Sequence, residues 1–149
     1  MAHLPGLRSP YDTVGGIVYF GRLLDKIRLH AQGKLPADYV ANIGDKPGMF
    51  DGRCLLFLGI GYDALVQRTL AGGSDDEILA WVFEKGRRPS PEEIEIWNGF
   101  MSKRGWRDEA RERLQFRLKE AGLPPGGGIE TMFDFIDTDE GRPLRAFPQ

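Results

Sequence analysis

The residues of this sequence most suited to chemistry are three charged side chains on one predicted helix, Arg22, Asp25 and Arg28. At about 100° per residue, Arg28 falls near the middle of the arc that carries the apolar residues of this helix, and Asp25 and Arg22 precede it on the same side. The i, i+3 spacing allows Asp25 to contact both arginines. Because a charge on an apolar face is costly unless it is paired, two interpretations follow. The arginines line a pocket for an anionic or carbonyl group, or they form a buried ion pair that fixes helix packing.

Further polar groups could complete a carboxylate-based or lysine-based active site. Lys26 follows Asp25 directly, Tyr39 belongs to the next predicted helix, and Asp75 begins a later one. The helical period turns Lys26 away from the apolar arc, together with Tyr19. An enzyme that uses Arg22, Asp25, Lys26 and Tyr39 is therefore one hypothesis, and whether the protein is an enzyme stays open at this point.

Two tryptophans and an asparagine form a second group of candidates. Trp81 and Trp97 each carry an indole N–H that needs an acceptor when it is buried, and Asn98 is a natural polar neighbour. These side chains either belong to an aromatic core or line a ligand pocket.

Several classes of site are excluded by the residue counts. The chain has two histidines and one cysteine, so it has no His/Cys cluster at zinc spacing and no Cys–His arrangement, and we expect neither a metal nor a cofactor. Cys54 lies in an apolar segment and is expected to pack as a small apolar residue. A single cysteine excludes an internal disulfide and favours a reducing compartment, so a cytoplasmic location is expected.

Nucleic acid and membranes are not expected as partners. The net charge is −2, and no apolar run approaches the roughly 20 residues that span a bilayer. Residues 103–119 contain seven basic and three acidic residues. Because the acidic residues are interleaved with the basic ones, pairing within a helix is the usual meaning of this pattern.

The segment Leu55–Val66 resembles a strand followed by a G-x-G-x-x-A phosphate-binding turn and a helix. A dinucleotide-binding fold would continue with a second strand and an acidic residue, but here a capped helix follows. We therefore interpret Gly59 and Gly61 as breaks between two short helices.

Local signals along the chain predict an all-α fold, a single compact multi-helix domain. A long N-terminal helix is predicted from about Val14 to Gln32, with Gly33 as its stop. Capping boxes at Ser74 and Ser90 begin two further helices. The two capped helices are predicted over 75–85 and 91–104. Two other helices are predicted over 35–44 and 106–121.

The C-terminal part is predicted to be a helical extension. Residues 1–123 form the core domain in this interpretation, and residues 124–149 form a Gly/Pro linker, a docking helix and a tail. The helix has an apolar stripe in residues 129–136. Such a stripe must be buried, either on its own domain or as the contact of a homo-oligomer.

Two blocks of residues together resemble a known family, the bacterial domain-of-unknown-function family 5069. The similarity covers roughly residues 5–105, and its most specific part is Arg22-x-x-Asp25-Lys26-x-Arg28. The resemblance implies a small, mainly helical, single-domain bacterial protein, and it implies no reaction. The other matching segments are Leu7-Arg8-Ser9-Pro10, Gly15-Gly16, Gly33-x-Leu35-Pro36, Phe57-Leu58-Gly59, Asp76-Glu77-Ile78-Leu79-x-Trp81-Val82 and Ile94-x-x-Trp97-Asn98.

Three functional classes follow from the sequence. A module that binds a small anionic ligand or a partner, built around Arg22, Asp25 and Arg28, comes first. An oligomeric scaffold that associates through residues 129–136 is the second, and an enzyme is the third. A concave pocket reached by the arginines would favour a binding site, whereas complete pairing of these charges would favour a structural role.

Overall fold

The computed structural model describes residues 3–145, which form eight helices and one small hairpin. The fold is therefore mainly helical and not purely all-α. The elements are β1 (Thr13–Val14), β2 (Ile17–Val18), α1 (Phe20–Ala31), α2 (Ala37–Val40), α3 (Phe50–Leu58), α4 (Tyr62–Leu70), α5 (Asp75–Lys85), α6 (Pro91–Lys103), α7 (Arg111–Glu120) and α8 (Met132–Asp139).

The predicted long helix from Val14 was wrong over its first turns, where the chain forms the β1–β2 hairpin. Gly15 and Gly16 have φ angles of 58° and 78° and occupy the two turn positions, since Val14 pairs with Ile17. A two-residue turn with positive φ at both positions suits the right-handed twist of the strands and favours glycine. The remaining helix, α1, has 12 residues.

Helix α1 is the central element of the fold. Nine of its residues are buried, which is more than one amphipathic face can account for. Phe20, Leu23, Leu24 and Ile27 contribute to the main core, which also contains side chains from the hairpin and from α3 to α6. Because α1 is surrounded, its polar side chains must be paired inside the protein.

Local signals located most helices correctly. Both capping boxes are formed, with Ser74 accepting from the Glu77 N–H and Ser90 from the Glu93 N–H. The glycines after α3 separate two helices as predicted, and the phosphate-binding interpretation fails because residues 55–58 are helical.

Two other predicted helices are shorter in the structure. The helix predicted over 35–44 is reduced to the single turn of α2. The helix predicted from residue 106 begins at Arg111, because Asp108 accepts hydrogen bonds from the N–H groups of Gly105 and Ala110 and holds a turn instead.

Helix α8 packs on its own chain. Phe133 is fully buried, and its ring lies 5.2 Å from that of Tyr11 and 5.3 Å from that of Phe50. Phe133 of the predicted apolar stripe is therefore buried against its own chain. The last residues of the predicted tail, 146–149, lie outside the described residues.

No helix within residues 3–145 is long and apolar enough to cross a membrane. The same residues contain no group of three or more His, Cys, Asp or Glu side chains placed to hold a metal ion.

Asn98 holds the hairpin against α6, and its loss is expected to lower the free energy of unfolding by about 1–3 kcal/mol. Its Oδ1 accepts from the Val18 N–H (3.0 Å), and its Nδ2 donates to the Gly16 carbonyl (2.7 Å). Asn98→Ala removes both bonds and leaves the Val18 N–H without an acceptor. Chemical denaturation measures this loss. Asn42→Ala, which removes only a 3.4 Å bond to the Asp38 carbonyl, is the control and should be nearly neutral.

Candidate functional site

A cleft of about 800 Å³ opens beside α1, and helices α2, α7 and α8 form its walls. This volume falls within the range of small-molecule sites, roughly 300–1,000 Å³. Apolar side chains of Met49, Phe50, Met132, Phe135 and Ile136 line part of it. Its floor is polar and is supplied by α1.

Three polar residues of the floor are Tyr19, which directly precedes α1, and Arg22 and Lys26 of α1. Their spacing is i, i+3, i+7, which places them on one face of the helix. Tyr19 precedes the first residue of α1 with φ 75° and ψ −27°, a left-handed conformation that is uncommon for a bulky residue. Such a backbone costs about 1–3 kcal/mol and persists only where the surroundings hold it. The Tyr19 ring packs 5.6 Å from the ring of Phe50.

Tyr19 and Lys26 share the carboxylate of Asp51, which lies behind them and does not itself line the cleft. The Tyr19 hydroxyl donates to Asp51 Oδ1 (2.6 Å), and Lys26 Nζ donates to both Tyr19 Oη and Asp51 Oδ1 (2.9 Å each). All three side chains are buried. Asp51 Oδ2 is also buried, and no described residue donates a hydrogen bond to it.

The environment of this cluster changes the proton affinity of two groups. Burial, together with the charge of Asp51, raises the pKa of Tyr19 well above its usual range. Burial lowers the pKa of Lys26, and the positive charge of Arg22 adds to this, although Asp51 opposes it. Shifted pKa values are frequent at functional sites, because burial and nearby charges bring the pKa of an acid, base or nucleophile to the value that its reaction requires.

A second buried ion pair adjoins the cluster. Arg22 binds Glu140 through two parallel bonds, Nη1 to Oε1 (2.9 Å) and Nη2 to Oε2 (2.6 Å), and Tyr39 Oη donates to Oε2 (2.8 Å). Burial acts to raise the pKa of Glu140, but the hydrogen bonds and charge of Arg22 and the bond from Arg142 outweigh it and hold this pKa at about 2.

The rim of the cleft carries arginines from the end of α6 and from α7. Arg104 pairs with Glu109 (3.0 Å), and Arg117 pairs with Glu120 (3.3 Å). Arg113 lines the cleft, is exposed, and has no acidic partner within residues 3–145.

The model of the family described as a domain of unknown function (DUF5069) matches residues 5–142. The chain belongs to this family. The match extends the predicted resemblance, which ended near residue 105, through α7 and α8 of the DUF5069 fold. A comparison with curated proteins finds no match.

The three charged residues predicted as a site on α1 of this DUF5069 chain, here called the Arg22–Asp25–Arg28 ladder, are divided between two sides of the helix. With about 100° per residue, Arg22 and Lys26 lie some 40° apart, whereas Arg22 and Arg28 lie some 120° apart. Arg22 therefore faces the cleft, and the predicted contact between Arg22 and Asp25 is not formed. The prediction that Lys26 and Tyr19 point away from the protein interior was wrong, because Asp51 of α3 bonds both side chains and Phe133 of α8 stacks on the Tyr19 ring.

Asp25 and Arg28 lie outside the cleft in a network with Arg8 and Asp75. Each arginine contacts both carboxylates: Arg8 lies 2.9 Å from Asp25 and 2.8 Å from Asp75, and Arg28 lies 3.5 Å and 2.7 Å from the same two. The four charges balance. This pairing joins the N-terminal segment, α1 and the start of α5. It agrees with the interpretation of Asp25 and Arg28 as an ion pair that fixes helix packing.

The aromatic candidates also lie away from the cleft. Trp97 is buried, donates its indole N–H to the Val18 carbonyl (3.3 Å) and stacks on Phe57 with ring centres 4.6 Å apart. Trp81 is partly buried against the main core, and Asn98 holds the hairpin. Of the predicted site residues, the structure thus brings Arg22, Lys26 and Tyr39 together in the cleft.

Sequence reasoning missed Tyr19, Asp51 and Glu140. Tyr19 carried a usable signal, since it shares the i, i+3, i+7 stripe with Arg22 and Lys26. Asp51 and Glu140 were not among the predicted site residues. Nothing local distinguishes these two carboxylates from the others in the chain.

Proposed function

We propose that the cleft binds a small organic molecule that carries an anionic group. The observation that carries this proposal is the position of two buried cations, Arg22 and Lys26, on the floor of a concave surface. A desolvated cation attracts an anion more strongly than one in water, because the local dielectric constant is lower. This proposal keeps the ligand class predicted from the sequence and moves its location from the Arg22–Asp25–Arg28 ladder to the cleft.

The rim and the walls support the same ligand class. Arg113 offers a guanidinium that needs no existing ion pair to be broken, and guanidinium binds carboxylate or phosphate through two parallel bonds. The apolar walls next to Phe50 and Phe135 suit the carbon skeleton of an organic anion better than an inorganic ion.

A thermal-shift screen against phosphate esters, dicarboxylates and 2-oxo acids tests the proposal. A ligand at 100 times its Kd stabilises the protein by about 2.7 kcal/mol, which corresponds to a Tm rise of ~5–10 °C for a chain of this size. We expect Arg113→Gln to reduce this rise. Arg28→Met is the matched control, because Arg28 lies outside the cleft, and it should retain the full rise.

Two results would contradict anion binding in the cleft. One is a screen in which no organic anion raises the Tm of the unaltered protein. The other is a rise that Arg28→Met abolishes and Arg113→Gln leaves intact, which would place the site at the Asp25 network instead.

An oligomeric scaffold stays the alternative proposal, but its original support is reduced. It was predicted from the apolar stripe of residues 129–136, and Phe133 of that stripe is fully buried within its own chain. A cytoplasmic location also stays a proposal. It is supported by Cys54, the one cysteine of the sequence, which is a free thiol and not part of a disulfide.

A further inference from the structure

We propose that Lys26 is a nucleophile that forms a Schiff base with an aldehyde or ketone bound in the cleft. The inference rests on the proposed function, and it narrows the ligand to an organic anion that carries a carbonyl group. It also assigns a reaction to the cluster of Tyr19, Lys26 and Asp51.

The first requirement of such a lysine is that it reaches a bound ligand while it is largely shielded from water. The position of Lys26 meets this requirement. Its side chain is 7% exposed, and it lines the cleft. An ammonium group has three N–H donors. Two of them bind Tyr19 Oη and Asp51 Oδ1, and no described residue accepts the third.

The second requirement is a population of unprotonated amine at neutral pH. Burial and the neighbouring Arg22 lower the pKa of Lys26; Asp51 acts in the opposite direction, and the net shift is downward. Desolvation and an adjacent cation are the two means by which proteins activate a lysine for attack on a carbonyl group. Each unit by which the pKa falls raises the unprotonated fraction at pH 7 by about tenfold.

The third requirement is a route for protons, and Asp51 and Tyr19 supply it. The ammonium group first gives a proton to Asp51, to which it is hydrogen-bonded. Asp51 Oδ2, which no described residue contacts by a hydrogen bond, can hold that proton. Tyr19 lines the cleft, and its Oη is hydrogen-bonded to both Lys26 and Asp51, so it can pass protons between Asp51 and a bound oxygen atom.

The reaction balances with these groups alone. The lone pair of Lys26 Nζ bonds to the carbonyl carbon, the π pair moves to the oxygen, and a proton passes from nitrogen to that oxygen to give a carbinolamine. The proton held by Asp51 then reaches the hydroxyl group through Tyr19, the C–O bond breaks, and water leaves. The nitrogen lone pair forms the C=N bond. The net change is ammonium plus carbonyl to protonated imine plus water.

Reductive trapping on the full-length protein tests the inference. The protein is incubated at pH 7 with glyoxylate or pyruvate and sodium cyanoborohydride, which reduces an imine to a stable secondary amine, and the modified lysine is located by peptide mass spectrometry. We expect Lys26 to be modified at least about tenfold faster than the exposed Lys34 and Lys103. In denaturant, this preference should disappear.

Two tyrosine variants test whether Tyr19 transfers protons in this reaction. Tyr19→Phe keeps the ring that packs on Phe50 and removes the proton route, so it should slow trapping and change its pH profile. Tyr39→Phe is the matched control, since its hydroxyl binds Glu140 and not Lys26. Equal loss in both variants would show that the cleft tyrosines act only on the fold and would overturn the role of Tyr19.

The outcomes distinguish this inference from the proposed function. If glyoxylate or pyruvate raises the Tm while Lys26 is modified no faster than Lys34, the cleft binds anions and the Schiff-base inference is overturned. If Lys26 is modified no faster than Lys34 and no anion of the thermal-shift screen raises the Tm, both proposals are contradicted. Preferential modification of Lys26, slowed by the carbonyl-free analogue lactate, supports both.

Discussion

Glu140→Gln is expected to lower the free energy of unfolding by about 3–5 kcal/mol at pH 7, the range found when one partner of a buried ion pair is removed. Arg22 and Glu140 are 3% and 2% exposed. The substitution keeps the volume of the side chain and removes its charge, so the guanidinium stays buried without a counterion. Urea denaturation measures the change.

Two further variants make this expectation specific. Glu120→Gln, at an exposed pair with Arg117, is the control and should cost less than about 1 kcal/mol. The double variant Arg22→Met, Glu140→Leu removes both charges and should recover part of the loss. A Glu140→Gln protein as stable as the unaltered one would show that Arg22 does not depend on this carboxylate.

The lowered pKa of Glu140 also predicts that the free energy of unfolding depends on pH in the acidic range. The pKa of Glu140 is about 2 in the folded protein and has a usual value of 4.5. Because the folded-state pKa is lowered, the stabilisation is complete above pH 4.5 and is lost as the pH falls toward 2. The contribution is about 3 kcal/mol. Glu140→Gln should lack this component, which denaturation curves at pH 5, 4 and 3 would reveal.

Asp51→Asn is expected to have an effect of similar size, about 3–5 kcal/mol at neutral pH, because it leaves Lys26 buried without its carboxylate. Asp38→Asn is the control. Asp38 also lines the cleft but is exposed, so its replacement should change stability by less than about 0.5 kcal/mol.

The effect of Asp51→Asn should shrink as the pH rises. Burial already lowers the pKa of Lys26, and loss of Asp51, which opposes that shift, lowers it further. Between the folded-state pKa and the usual value of 10.5, the unfolded chain then binds a proton that the folded variant does not. Stability therefore rises with pH over that interval. A destabilisation that is equal at pH 6 and pH 9 would show that Lys26 is not the group left unpaired.

Local structure was predictable wherever one short segment satisfies its own backbone groups. Ser74 and Ser90 bind N–H groups three residues away, so the starts of α5 and α6 follow from the sequence without knowledge of the fold. The hairpin was missed, because Val14 and Ile17 are three residues apart, which is the spacing of one face of a helix. The two glycines were the only local signal for a turn.

The candidate site was partly predictable from the sequence. That a charge on the apolar arc of α1 needs a partner follows from its periodicity, and Arg22 was identified on this basis. Lys26 and Tyr39 were predicted only as polar groups that could complete an active site. The side of α1 that lines a cleft is set by the helices that pack around it, so periodicity could not show that Asp25 and Arg28 lie outside the cleft.

By itself, the sequence determined the family, the mainly helical architecture and the presence of charges that must be paired within α1. Only the tertiary structure decided which partner each charge has. Arg22 meets a carboxylate 118 positions away, and Lys26 meets one 25 positions away. Helical periodicity specifies which residues share a face, but it carries no information about which distant segment packs on that face. The cleft, its buried lysine and the chemistry proposed for it follow from that packing.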